Sequence, residues 1–353
     1  MQSDSANRLR HYQAQLAPGT PLRDGLERVL KGRTGALVVL GFSKAVEQVS
    51  TGGFMVDAPF TPQNLRELAK MDGAIVLDND AERIVSAGVH LVADGSIDTP
   101  ETGTRHRSAD RVSKQTGVPT VTVSASMSTI TLFLDGQRHL VEQSAQILSR
   151  ANLALQTLER YRARLTQLTQ RLSALEVEDQ VTLRDLTLVA QRLELVRRLE
   201  AELSGYVLEL GTDGRLLDLQ LRELNIGIEE LGSLLSMDYL IQREPAGSLD
   251  PLRTLSMADL LDPGAVTRAM GYSPNDHLET RLTARGLRQL AQISRLPQAL
   301  APRLLEHFGS LQSLFAASSA ELQSVDGVGE SRAKLIRDGL TRLAESAYTE
   351  QLH

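Results

Sequence analysis

The chain has 353 residues, a length that predicts about two to three domains. It contains no Cys, which excludes disulfide frameworks, thiolate metal sites and Cys nucleophiles, so any metal must sit on oxygen or imidazole. The 38 Lys and Arg against 44 Asp and Glu leave a net charge of -6, so any contact with nucleic acid must be local. With no Trp, 6 Tyr and 6 Phe, stacking on single strands is not a leading function, whereas phosphate-directed binding stays open. Met1 to Leu16 lacks a signal-peptide progression and no apolar run is long enough to span a bilayer, so a soluble cytoplasmic protein is expected.

From about Pro21 to Leu140, β-rich apolar bursts at Gly35 to Leu40, Gly73 to Leu77, Val118 to Val123 and Ile130 to Leu134 alternate with helical stretches such as Thr61 to Lys70. This alternation predicts an α/β domain. Asp135-Gly136 after the last burst is a hairpin signal, so part of the sheet is expected to be mixed or antiparallel. From Val141 to about Ser204 Gly almost vanishes, and Leu158, Tyr161, Leu165, Leu168, Leu172 and Leu175 step by three and four in the manner of a long helix. Thr182 followed by Asp185 resembles a capping box opening a second helix through Leu186, Val189, Leu193 and Val196. Helices joined this way form a spacer or an assembly surface.

Gly205 to about Arg281 reads as helical turns with loops, with Gly211-Thr-Asp-Gly214 and the stretches around Pro245, Pro251 and Pro263. From Thr283 to Leu343, short amphipathic helices separated by Pro297, Pro302, Gly309 and Gly327-Val-Gly329 predict a small all-α domain. The expected division is 1–145, 146–282 and 283–353: an α/β domain with a mixed sheet, a helical linker and assembly region, and an all-α domain.

Two constellations in the first region combine polar groups with Gly at strand ends, where ligands of α/β sheets bind. Met71-Asp72-Gly73-Ala74 opens an apolar strand. A carboxylate beside Gly lets a ligand approach the backbone while the acid holds a metal or accepts a proton, although a plain turn before a strand has the same composition. Thr102-Gly103-Thr104-Arg105-His106-Arg107-Ser108 gathers two guanidiniums, an imidazole and three hydroxyls, a donor density suited to oligophosphate charge. Its acceptor-only groups are absent, which favours that reading over a solvated basic loop. His106 could be a buried imidazole, but its place between two arginines favours a phosphate role. Ser124-Ala-Ser126-Met-Ser128 follows a β-branched strand and could add phosphate contacts, alternating Ser on a half-exposed strand being the default. Asp78 and Asp80 read as turn formers.

No Gly-x-x-x-x-Gly-Lys-Ser/Thr loop, His-x-x-x-His pair or Gly-x-Ser-x-Gly elbow occurs, which excludes a P-loop NTPase, that zinc spacing and the hydrolase nucleophile turn. Near the end, Leu322-Gln-Ser-Val325-Asp-Gly327-Val-Gly329-Glu-Ser-Arg332-Ala333-Lys334-Leu335-Ile336 has a helix-hairpin-helix layout. The glycines let backbone N–H groups of the turn, including that of Val328, face a DNA phosphate without reading sequence, with Arg332, Lys334 and Arg337 adding charge. Upstream, Leu290, Ile293, Arg295, Pro297, Ala301, Leu304 and Leu305 repeat the spacing with Arg295 and Pro297 in place of the glycines. That segment reads as a degenerate, structural partner that completes a RuvA-like pair.

Asp72-Gly73-Ala74 with Gly103-Thr104-Arg105-His106-Arg107, about thirty residues on, resembles the paired signature of the diadenylate cyclase family. The order with long helices next and a helix-hairpin-helix domain last is similar to the DNA-scanning branch of that family over nearly the whole chain. Thr20-Pro-Leu-Arg-Asp-Gly-Leu-Glu-Arg28 and Ile147-Leu-Ser-Arg-Ala-Asn152 look most like actinobacterial members. The resemblance implies condensation of two ATP into cyclic di-AMP with release of two pyrophosphates, using Mg2+ or Mn2+.

It further implies that Asp72 serves the metal and the attacking hydroxyl, with Arg105, His106 and Arg107 acting beside it in catalysis. Gly73, Ala74 and Gly103 would bring backbone to the nucleotide and Leu91 would lie near adenine. Thr104, Arg105, His106, Arg107, Ser108 and Ser124 would hold phosphates and ribose. Ser108 stands where many relatives carry Thr, and Ala125 where some carry a larger polar side chain. Cyclase domains face to face in a homo-octamer, binding of branched DNA such as Holliday junctions, and lower activity on DNA engagement are implied as well, with no membrane role. A non-catalytic nucleotide-sensing DNA-binding scaffold is the rival, disfavoured because a sensor has no need of the acid. A structure-selective nuclease would need a cluster of carboxylates that the sequence lacks.

Overall fold

The structure is a computed structural model that describes residues 2–240, 247–297 and 299–350; Pro245 lies outside them. In chain order the helices and strands are α1 (Gln2–Gln15), α2 (Pro21–Lys31), β1 (Ala36–Leu40), α3 (Lys44–Val49), β2 (Ser50–Thr51), β3 (Phe54–Pro59), α4 (Pro62–Leu68), β4 (Ala74–Leu77), β5 (Arg83–Leu91), α5 (Thr104–Thr116), β6 (Thr120–Ser124), β7 (Thr129–Leu134) and β8 (Gln137–Val141). Then come α6 (Ser144–Val177), α7 (Leu183–Leu210), α8 (Arg215–Asn225), α9 (Ile228–Tyr239), α10 (Met257–Leu261), α11 (Pro263–Ala269), α12 (Leu287–Ala291), α13 (Leu300–Phe308), α14 (Leu311–Ala316), α15 (Ser319–Gln323) and α16 (Glu330–Glu350). The chain divides into two compact units, residues 1–153 with 203–220 and residues 154–202 with 221–353.

The first unit is built on an 8-stranded sheet in the order β2-β5-β4-β1-β6-β7-β8, with β3 also paired to β5. Only the β1–β4 pair is parallel; the others are antiparallel, the mixed sheet the sequence predicts. Asp135 and Gly136 both take positive φ, 49° and 72°, as a two-residue hairpin between β7 and β8 requires. The run Ala-Leu-Val-Val-Leu of β1 is buried at every position because both sheet faces are covered. Val38, Leu40, Ile75, Leu77 and Val121 form one cluster with Leu22, Leu26 and Val29 of α2 and Leu65 of α4. Toward α5 and α3, Leu37, Ala74 and Phe133 meet Ala109, while Val39, Val76 and Val89 meet Val46. Three layers result, α/β/α.

Thr20 and Thr61 start α2 and α4 alike: each hydroxyl accepts from the third residue on, Arg23 N (3.2 Å) and Asn64 N (3.1 Å), and each precedes Pro at N1.

In the second unit the periodic stripe of α6 is buried at Leu158, Leu165, Leu168 and Leu172. The expected capping box opens α7, with Thr182 N donating to Asp185 Oδ2 (3.1 Å) and Asp185 N to Thr182 Oγ1 (3.4 Å). Leu290, Ile293, Leu304, Leu322, Val325, Ala333 and Ile336 pack the two hairpins α12–α13 and α15–α16 into one core, against which Leu234 and Met237 of α9 rest. Pro302 does not separate helices as expected: it is the third residue of α13, in the first turn, where helical N–H groups have no acceptor and a missing one costs nothing.

Candidate nucleotide site and DNA-contact hairpins

Strand register carries the predicted residues to one end of the sheet. Val38 pairs with Ile75 and Ala36 with Val123, so Gly35, the Met71-Asp72-Gly73 turn ahead of β4, and Ser124 at the close of β6 stand side by side. Ala74 lies opposite Val89, which brings Leu91 at the end of β5 to the same edge. The start of α5 joins them: a Cβ at Gly35 would stand 2.7 Å from Arg105 Nη1 and 3.1 Å from the Val123 carbonyl. The guanidinium of Arg105 therefore lies across Gly35, where only a glycine leaves room for it. No sequence motif singled out Gly35; a Gly immediately before a buried strand was the available signal.

The Asp72 side chain is exposed, and Gly73 N donates to its Oδ1 at 3.1 Å. Gly73 has φ of 109°, and a Cβ there would meet the Gly88 carbonyl carbon at 2.6 Å and its oxygen at 2.9 Å. The turn that presents the carboxylate thus lies directly on the backbone of β5. Ala74 is buried, so it can offer a nucleotide backbone only. Among the described residues no group of three His, Asp or Glu could enclose a metal. One open carboxylate fits a divalent ion that shares its coordination with substrate phosphates and water.

Helix α5 begins at Thr104 with Gly103 as N-cap, which supplies no side-chain hydrogen bond. Its first-turn N–H groups have no acceptor within the helix, and together with the helix dipole they favour an anion. Thr104, Arg105 and Arg107 are exposed there and Ser108 is half-buried. Neither arginine pairs with a carboxylate among the described residues.

His106 departs from the sequence reading. It is 6% exposed, on the same helix face as Ala109, Asp110 and Ser113, and its ring stands edge-on to Phe133 with centroids 6.1 Å apart. Burial pushes its pKa below the ordinary value, Glu101 opposes that and Arg138 adds to it. The buried imidazole, the lesser of the two readings, is the one observed: a helix turns about 100° per residue, and His106 shares the inward face of Ala109, Asp110 and Ser113, three, four and seven residues on, while Arg105 and Arg107 fall to either side of it. Its Nε2 has no hydrogen-bond partner among the described residues.

Ser124 Oγ lies 3.3 Å from Ser126 Oγ and accepts from Met127 N at 3.3 Å, so the serines form a turn rather than an alternating strand. Leu91 is half-buried against both clusters on the α5 side of the sheet. Asp78 is a turn former as expected, its Oδ1 accepting from Glu82 N (2.8 Å) and Arg83 N (3.1 Å).

In the second hairpin Gly327 takes φ of 85°, and a Cβ at Gly329 would meet nothing within 4 Å, leaving the turn open. The Val328 side chain is buried, so only its backbone is available. Arg332 is exposed, with Nη1 donating to the Gly327 carbonyl at 2.6 Å, and Lys334 is exposed. Arg337 is a correction: its Nη1 donates to the carbonyls of Phe315 (3.0 Å) and Ala317 (2.6 Å), so the guanidinium closes the end of α14 instead of facing outward. In the first hairpin Arg295 has φ of 67° at the place of Gly327, as the aligned spacing implies.

A nucleotide-directed α/β domain, long helices and paired helix-hairpin-helix elements in one chain define a nucleotide-binding protein equipped for DNA contact. The chain matches three family descriptions: DisA bacterial checkpoint controller nucleotide-binding over residues 23–138, the DisA bacterial checkpoint controller linker region over 141–279, and a SAM-like helix-hairpin-helix tandem over 287–342. It is 55% identical over 343 residues to the DNA integrity scanning protein DisA of Streptomyces griseus, covering 95% of this chain and 92% of that one. With the protein of the same name from Frankia alni the identity is 54%, covering 96% of each. DacA from Staphylococcus aureus, a solved structure, is similar at a TM-score of 0.30 and 22% identity over 38% of this chain and 88% of that one, too remote to carry an argument. The chain belongs to the DisA family of DNA integrity scanning proteins, diadenylate cyclases tied to DNA scanning. Among the described residues no helix is long and apolar enough to cross a membrane.

Proposed function

We propose that the sheet end bearing Asp72 and the start of α5 binds ATP and condenses two molecules into cyclic di-AMP. The observation that carries this reading is the strand register that gathers Asp72, Gly35 with Arg105, Ser124 and Leu91 at one edge. In each half-reaction a ribose 3′-oxygen forms a bond to the α-phosphorus of the other ATP as the bond to pyrophosphate breaks. Asp72 stands beside the attacking hydroxyl and takes up its proton. The α5 N–H groups, Thr104, Arg105, Arg107 and Ser108 hold the polyphosphate and neutralise the departing pyrophosphate. Leu91 offers an apolar surface to adenine, Gly73 and Gly103 admit the ligand to the backbone, and Ser124 holds the ribose or phosphate side. His106 acts from behind as a positioning residue for the first turn of α5. Asp72 would hold a divalent ion, Mg2+ or Mn2+, which when bound would supply charge neutralisation for the substrate phosphates.

The reading includes homo-octamers with cyclase domains face to face, and branched DNA such as a Holliday junction held through the turn Gly327-Val328-Gly329 with Arg332 and Lys334. DNA engagement lowers cyclase activity in a cytoplasmic protein divided functionally at 1–145, 146–282 and 283–353. Purified protein incubated with ATP and either metal, with products identified by mass spectrometry, tests the reaction. Cyclic di-AMP from the wild type and none from Asp72→Asn is the expected result; intact ATP with a folded, oligomeric wild type would sink the reading.

A further inference from the structure

The two hairpins of the C-terminal core are related by sequence spacing, and each turn rests on the second helix of the other. Ile293 of the first hairpin sits on Gly339 of α16, where an added Cβ would come within 2.7 Å of it. Gly327 of the second hairpin sits on α13, with Leu300 Cδ2 3.3 Å from a Cβ built there and Arg303 Nη1 3.8 Å away. A pseudo-symmetric pair should therefore present two equivalent grooves. Their charges differ. Beside the second turn, Arg303 faces Asp326, with Nη1 3.4 Å from Oδ2.

Beside the first turn lies an open cavity of about 630 Å³ lined by Arg295, Lys334 and Arg342, with Asp338 its one acid. All three cations are exposed, and none pairs with a carboxylate or donates a hydrogen bond among the described residues. Ser294, Ser331 and Ser346 line the same cavity with hydroxyls.

Arg295 adds an independent observation. Its φ of 67° is a backbone conformation in which Gly is at ease and an L side chain is strained. The matching position in the second hairpin is Gly327, with φ of 85°. A guanidinium is thus carried at the one turn position where a bare backbone would be more stable, and it points its charge into a groove that already holds two unpaired cations.

We propose that this groove is a second phosphodiester-binding track, in which side chains of the first hairpin and α16 take the place of the turn amide that Pro297, standing where the second hairpin has Gly329, cannot offer. A DNA strand held at the Gly327 turn is one contact; Arg295 and Arg342 grip a further strand, and Lys334, assigned above to the second hairpin, lines this groove and serves both strands. The proposal rests on the reading of the C-terminal core as a DNA-binding domain, and the part of the second hairpin's turn in that binding is tested separately.

Binding of the full-length protein to a fluorescent duplex and a four-way junction is measured across salt concentrations for wild type, Gly329→Glu, Arg295→Gly and Arg342→Gln. Gly329→Glu places a carboxylate in open space at the second turn and reports on that hairpin alone. Arg295→Gly relieves the backbone, so its thermal midpoint should equal or exceed that of wild type. Each arginine variant is expected to bind DNA about three- to tenfold more weakly at moderate salt and to lower the slope of log K against log salt by about 1. If Gly329→Glu weakens binding while both arginine variants keep wild-type affinity and slope, the second track is refuted and the hairpin reading survives. Wild-type affinity in Gly329→Glu with losses in the arginine variants would assign DNA to the groove and remove the hairpin reading. Failure of the wild type to bind either DNA overturns both.

Discussion

Replacing Gly73 by Ala perturbs the geometry that holds Asp72 without touching its carboxylate. The new Cβ would stand 2.6 Å from the Gly88 carbonyl carbon, and relief to the 3.4 Å at which ordinary contact begins needs a displacement of about 0.8 Å between the turn and β5. Neither side can yield by rotating a side chain, because the opposing atoms are backbone. The φ of 109° adds strain for any L side chain, roughly 1–2 kcal/mol. A misplacement near 1 Å in a reacting group costs about 100-fold in rate, so Gly73→Ala should lower cyclic di-AMP formation by about 30- to 100-fold. Gly88→Ala is the control: its Cβ would meet the Met71 Cε at 3.0 Å, the free end of a side chain that is 37% exposed and can swing away. That variant bears mainly the cost of its φ of 66° and should retain activity within about threefold of wild type. Initial rates by product chromatography at saturating ATP decide the matter, with hydrogen-exchange protection of the β1 and β6 amides as the check that the first unit has folded. Equal damage from both variants, or half-normal activity in Gly73→Ala, would refute the account of how the carboxylate is held.

Two further predictions concern the buried polar network at the start of the helix-hairpin-helix core. Glu176 of α6 accepts from Arg288 Nη2 (2.6 Å), Arg288 Nε (3.1 Å), Tyr239 Oη (2.6 Å) and Gln289 Nε2 (2.7 Å), with Glu176 1% and Arg288 5% exposed. Arg288→Met strands a buried carboxylate at a cost of about 3–5 kcal/mol; hydrogen exchange of the α12 amides should accelerate by about 100- to 4000-fold, and adding Glu176→Gln should restore most of the protection. Unchanged exchange in the single variant would show that the pair contributes nothing. Asp238 caps α12, its Oδ1 accepting from Gly286 N and Leu287 N and its Oδ2 from Arg288 N, and burial, foremost, lifts its pKa from 3.8 to about 6. A raised folded-state pKa means that this group's contribution is fully present below the unfolded value and is lost as pH rises through about 6; the swing is on the order of 3 kcal/mol. The thermal midpoint of wild type relative to Asp238→Asn should therefore rise as pH falls from neutral toward 4, and a constant gap would contradict this.

Four strands were legible because each is a continuous β-branched or apolar run covered on both faces. β5 was not, since Arg83-Ile-Val-Ser-Ala-Gly-Val-His-Leu91 interleaves polar residues and a Gly and carries neither a clean alternation nor an unbroken apolar run. β3 and β8 are largely exposed and carry no long apolar run of their own, so neither was marked as a strand, although the Asp135-Gly136 turn pointed to a partner after β7. The site residues were visible as a density of donors and a lone acid, but their meeting depends on the register of β1 with β4 and β6, which no local pattern encodes. His106 and Arg337 show the limit from the other side: side-chain chemistry suggested outward-facing charge, and helix phase turned one into the core and aimed the other at neighbouring carbonyls. Glu176 and Asp238 had no signal at all, because a buried carboxylate on an amphipathic helix looks like its solvated counterparts until the partner helix arrives from more than a hundred residues away for Glu176 and about fifty for Asp238.

The composition of the sheet edge bears on why the proposed reaction needs two copies of the chain. Making cyclic di-AMP forms two equivalent bonds, and in each of them one ATP supplies the hydroxyl while the other supplies the phosphorus. A single edge offers one exposed carboxylate, Asp72, and one helix start with two unpaired guanidiniums, Arg105 and Arg107. That set suffices to hold one triphosphate and to serve one hydroxyl. It does not suffice to neutralise two triphosphates at once, since like charges brought together without counter-charge repel steeply in a partly desolvated site. A twofold pairing of identical edges, as proposed above, would supply the second carboxylate and the second pair of guanidiniums in the symmetry that the product itself has. On this account a monomeric variant should still bind ATP but form no cyclic di-AMP, because the missing element is the second nucleotide's phosphorus and not the affinity for the first.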